Sequence, residues 1–135
     1  MQIAATVVSS AAHHEVTVRT GQTIRFLPVA PKESGFGSSV NGGEFLMLAL
    51  ATCYCNDLYR EAERLGIPIQ GAEVEASGEF AGIGLAASNI SYRAKVRSSA
   101  PAGDVQRLLR ETDAVAEVHN TIRSGVPVRL VQGDA

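Results

Sequence analysis

Net charge, cysteine and long apolar runs are all in short supply in this 135-residue chain, and each shortage removes a class of function. Twelve basic against fourteen acidic residues leave a net charge of −2. The charges are spread along the chain, without the basic stripe that nucleic acid or an anionic membrane selects. No run approaches the roughly 20 apolar residues that span a bilayer. The N-terminus lacks a basic start followed by an apolar core, so no export signal is read there. The two cysteines, Cys53 and Cys55, stand too close in a helical pattern to form a disulfide framework. A reducing, cytoplasmic setting is the default expectation, with no cofactor or metal. The length fits one domain, 1–135, that buries roughly two thirds of its unfolded surface.

What is present reads as alternating pattern and helix. Residues 3–9, 14–19 and 23–27 are rich in Val, Thr and Ile, with Gly21-Gln22 a hairpin turn between the last two. Residues 28–43 carry prolines, glycines and serines and form a long loop, a place where function often sits. Its Gly35-Phe36-Gly37-Ser38 stretch lacks the following lysine of a phosphate-binding loop, which favours plain loop. Asn41 and Glu44 have the spacing of a capping box, opening a helix over 44–65 that Gly66 and Pro68 stop. The helix is apolar almost all round until Thr52, which predicts a central position.

Period-two alternation over 72–80 and 90–96 predicts two half-buried strands. The outer face of the first is acidic (Glu73, Glu75, Glu79) and that of the second basic (Arg93, Lys95, Arg97), so they read as an antiparallel hairpin closed around 81–87. Two helices follow, through Val105, Leu108, Leu109 and Thr112, then Val115, Val118 and Ile122. Gly125 ends them, and 126–131 reads as a last strand. The sum is an α+β fold, with antiparallel sheets packed around a long central helix.

Cys53 is the first candidate for chemistry. It shares a helix face with Leu46, Leu50, Asp57 and Arg60, running from apolar to charged as a site wall does; a small buried side chain is the plainer alternative. Cys55 lies about 200° away around the axis, on the stripe Leu48, Ala51, Leu58, Ala62 and Leu65, and reads as an inert core thiol. His13 and His14 point to opposite faces of a strand and cannot chelate one metal together. Tyr54 and Tyr59 read as packing residues.

Two stretches together resemble the OsmC/Ohr proteins, the osmotically inducible and organic-hydroperoxide-resistance family. One is Asn41-x-x-Glu44 followed by Leu46, Leu48, Ala49, Ala51, Thr52 and Cys53; the other is the tail from Val118-His119-Asn120-Thr121 to Gly125-Val126-Pro127-Val128. The resemblance implies an intertwined homodimer with two sites at the subunit interface. It also implies a peroxidatic cysteine on the central helix, a second cysteine that closes a disulfide, an assisting arginine from the N-terminal strands and a nearby glutamate. Carried onto this chain, the first cysteine is Cys53, the arginine Arg19 with Arg25 in reserve, and the glutamate Glu44, for which helix capping is the competing role.

The chain departs from the family pattern where the second cysteine is expected. Ala116 stands there, followed by Glu117 in place of the usual proline, and Gly43 replaces the glutamate of the hydroperoxide-resistance branch. His119 stands where the family has a small residue. It reads as a surface or hydrogen-bonded helix residue in preference to a metal ligand beside Cys53 and a carboxylate. Two functions stay open: a thiol-dependent hydroperoxide reductase with one working cysteine, or an inactive dimer that binds a small apolar or electrophilic ligand.

Overall fold

The computed structural model describes residues 1–133. Two compact units divide the chain, Met1–Phe45 and the part from Leu46 onward. The first holds an antiparallel sheet of β1 (Ile3–Ser10), β2 (His13–Thr20) and β3 (Thr23–Leu27), ordered β1-β2-β3. Its Val, Thr and Ile residues suit a pleated surface, and Gly21-Gln22 joins β2 to β3 with Thr20 opposite Thr23. Ala4, Arg19 and Ile24 lie side by side across the three strands, as do Ala5, Val18 and Arg25. Successive residues point to opposite faces, so Arg19 and Arg25 are on opposite sides of the sheet. Of the sheet's residues only Val16 is buried; Ile3, Val7, Val8, Ile24 and Phe26 all stay exposed.

The loop after β3 is tied down by its own backbone. The Ala12 amide donates to the Gly35 carbonyl, Gly35 to Lys32 and Lys32 to Gly37, while the Gly37 amide donates to Ser9 Oγ. The Gly35 and Gly37 N–H groups are thus committed within the loop.

Helix α1 (Gly42–Leu65) starts with the expected capping box. Asn41 Oδ1 accepts from the Glu44 amide at 2.8 Å, and Glu44 Oε1 accepts from the Asn41 amide at 3.1 Å. It ends in a Schellman turn: Gly66, at φ +67°, donates to Glu63, and Ile67 donates to Ala62.

In the second unit β4 (Gly71–Glu79) pairs antiparallel with β5 (Ser88–Arg97). The register sets Glu73 opposite Lys95 and Glu75 opposite Arg93, as the charge pattern predicts. Gly78 sits at a bulge, where an added Cβ would come within 3.1 Å of Ile90 and 3.3 Å of Met47. Helices α2 (Ala102–Val115) and α3 (Glu117–Ser124) follow. The core gathers Tyr54, Leu58 and Ala62 of α1 with Ile67, Leu108 and Ala116, packed against the inner side chains of β4 and β5.

Three expectations need correction. No strand forms over 126–131: Val126, Val128, Leu130 and Val131 are exposed with no strand partner among the described residues, and Pro127 has no N–H to give a ladder. The buried stripe of α1 is Leu50, Tyr54, Asp57, Leu58, Glu61 and Ala62, which leaves Cys55 at its edge, only partly buried. The apolar start of α1 is not enclosed by this chain either, with Leu48 and Ala49 exposed. Hydrophobicity named the helix as interior; the choice of buried face was made by neighbours distant in sequence.

Candidate functional site

Helical spacing puts Cys53, Asp57 and Arg60 on one face of α1, because residues three and four apart are neighbours there. The bend between α2 and α3 brings in a fourth group. Ala116 serves both as the end of α2 and the start of α3, in extended conformation, and so delivers Glu117 to the same spot. The Cys53 thiol lies 3.7 Å from Asp57 Oδ2 and 3.8 Å from Glu117 Oε2, within donating range of both. Arg60 holds the two acids, at 2.9 Å from Asp57 and 3.7 Å from Glu117. Asp57 is buried while the Glu117 side chain is 69 % exposed, so one acid is inside and the other at the mouth.

These neighbours fix the proton balance. Burial pushes the Cys53 thiol above its ordinary value; the Val118 backbone amide works against this, and the charges of Asp57 and Glu117 add to it. Asp57 is raised chiefly by desolvation, with Arg60 opposing and Glu117 reinforcing. Glu117 is held low by its own backbone amide. The sulfur, the two carboxylates and their spacing also have the make-up of a three-ligand cation site, with Arg60 already paired to both acids.

Each candidate from the sequence has a place. Cys53 is partly buried and free, beside the charged cluster. Glu44 is engaged in the α1 capping box, the competing role foreseen for it. Arg19 donates to the Gly21 carbonyl at 2.8 Å and lines a shallow hollow with Ala4, Thr6, Thr17 and Ile24. Ala116, at 0 % exposure, presents a core methyl where the family pattern expects a thiol. Asp57 and Arg60 were visible as companions of Cys53 by spacing alone. Glu117 was visible only as a departure from proline, since 64 residues separate it from the cysteine it touches.

His119 reverses its expectation. It is 3 % exposed and neither ring nitrogen has a partner. Its ring packs against Tyr92, centroids 4.5 Å apart, and against Tyr54 at 5.8 Å. Burial, and secondarily the Arg123 charge, lower its pKa, so the ring is neutral at pH 7. A buried polar atom left unpaired costs about 1–3 kcal/mol.

The family model described as OsmC-like protein matches residues 35–131. No curated protein sequence matches the chain. Among solved structures, an OsmC-like protein from Mycoplasma pneumoniae is 18 % identical with a TM-score of 0.69, over 93 % of this chain and 89 % of that one. An organic hydroperoxide resistance protein from Legionella pneumophila is 16 % identical with a TM-score of 0.61, over 91 % and 90 %. One from Elizabethkingia anophelis, with thiocyanate bound, is 16 % identical with a TM-score of 0.62, over 93 % and 90 %. Identities this low speak for the fold alone, an α+β fold that these proteins share. With the family model spanning most of its length, the chain belongs to the OsmC-like protein family.

Proposed function

We propose that this chain is a thiol-dependent reductase of organic hydroperoxides in oxidative-stress defence, with Cys53 as its one peroxidatic cysteine, acting as a homodimer. The observation that carries the proposal is the Cys53 thiol set 3.7 Å from a buried carboxylate whose own proton affinity is raised. A thiolate is the attacking species, and here the thiol's raised pKa calls for a base beside it. Asp57 takes the Sγ proton as sulfur attacks the distal peroxide oxygen. The O–O bond breaks, an S–O bond forms, and the alkoxide leaves with the proton returned from Asp57. The products are Cys53 sulfenic acid and an alcohol.

With Ala116 in place of a second cysteine, an external thiol attacks the sulfenic sulfur and releases water. A second external thiol opens the mixed disulfide and restores the Cys53 thiol. Arg60 fixes Asp57 and Glu117, and Arg19 supplies the assisting guanidinium. Glu44 contributes by holding the start of the helix that carries Cys53. Support for the homodimer comes from the apolar side chains left exposed on the N-terminal sheet and at Leu48.

A second reading, ligand binding without catalysis, is favoured by the raised thiol pKa and the methyl at Ala116. Mass spectrometry after one equivalent of cumene hydroperoxide, with a sulfenic-acid trap and Cys53→Ser as control, separates the two. Rapid trapping at Cys53 alone is the expected result. A folded protein that traps at neither cysteine overturns the reductase reading.

A further inference from the structure

A pocket of about 110 Å³, partly open to solvent, lies beside His119, walled by Leu50, Ile90, Tyr92, Ile122 and Arg123. Two of its three polar lining groups already have partners. The Tyr92 hydroxyl donates to Asp113 Oδ1, and Arg123 donates to the same oxygen at 2.6 Å and to the Asp113 carbonyl at 3.4 Å. The imidazole of His119 is the one lining group that is buried with no hydrogen bond at all. We propose that this pocket is a second, non-catalytic binding site for a small neutral molecule with one hydroxyl on a compact apolar body, an alcohol or phenol, whose hydroxyl pairs with the His119 ring.

Three features select that chemistry. Leu50, Ile90 and Ile122 ask for an apolar body, and the volume limits it to about one six-membered ring, as an engineered cavity of about 150 Å³ holds benzene. The Arg123 charge is already met by Asp113, and the ring is neutral at pH 7, so an anion gains nothing from these walls. A hydroxyl both donates and accepts, so it satisfies a neutral imidazole in either tautomer. The site stands on different residues from the Cys53 cluster, and its occupancy is independent of peroxide chemistry.

The test is an NMR titration of the reduced full-length protein with phenol and, separately, with benzene, following the His119 ring nitrogens and the Ile90 and Ile122 methyls. Phenol is expected to shift all of these saturably and to bind about ten-fold tighter than benzene, a difference of about 1.4 kcal/mol. His119→Phe should abolish that preference, and Ile122→Phe, which fills the pocket from the next turn of the same helix, should abolish binding of both. Cys53→Ser should leave both titrations unchanged. Equal affinity for phenol and benzene in the wild-type protein overturns the proposal. So does the absence of saturable shifts, or unimpaired binding in folded Ile122→Phe.

Discussion

Cys53 is a thiol surrounded by acids, and that sets how it should titrate. Its pKa is raised by burial and then by Asp57 and Glu117, so at pH 7 less thiolate is present than in free cysteine. Alkylation of Cys53 by iodoacetamide is therefore expected to be slow at pH 7 and to climb through pH 9, with the midpoint lowered in Asp57→Asn; a midpoint below that of free cysteine contradicts the assignment. Peroxide reduction behaves differently if Asp57 is the base. Asp57→Asn should then lower the rate with cumene hydroperoxide while raising the alkylation rate, an opposition that simple electrostatics does not produce. Excess peroxide should also carry Cys53 on to the sulfinic acid, since no second thiol intercepts the sulfenic acid; intact mass reads this as a second added oxygen. At this scale the sequence placed Asp57 and Arg60 beside Cys53, because they follow it at helical spacing. It missed Glu117 and the burial of His119, since both depend on where the bend at Ala116 turns the chain.

Among the elements, α1 is the best anticipated, from cap to stop, because its end signals are local. Asn41→Ala removes the acceptor of the Glu44 amide and should cost about 1 kcal/mol in urea unfolding. Leu58→Ala, fully buried in the middle of the same helix, should cost about 2–5 kcal/mol. The β4–β5 register was equally legible, since facing acid and base rows fix which residues pair. The expected strand over 126–131 failed because alternation shows a strand's two faces but supplies no neighbour.

Acid should weaken the ion pairs within and between the helices. Asp113 is held low by the Arg123 hydrogen bond, Glu61 by Arg64 and Glu111 by Arg107. A carboxyl whose folded pKa is depressed adds stability above its unfolded value and loses it as pH falls through the folded one. The melting temperature is thus expected to drop below about pH 4, and Asp113→Asn should flatten that drop.

For the whole molecule, the distribution of apolar surface matters most. A sheet whose residues, Val16 apart, escape burial is not a stable end state for a lone chain in water. Sedimentation should give a dimer, with Phe26→Glu, at a side chain 71 % exposed, shifting it toward monomer; a wild-type monomer at micromolar concentration refutes the proposed assembly. The family was legible from two separated stretches of residues, whereas the face each element buries was not, because burial is decided by the partners an element meets. One more consequence comes from the ring cluster at the pocket wall. The chain has no tryptophan and three tyrosines, and Tyr54 and Tyr92 sit with centroids 4.6 Å apart, both against His119. Its ultraviolet emission is thus tyrosine light unmixed with indole, and two of the three emitters flank the imidazole, giving the molecule a native optical reporter at that wall.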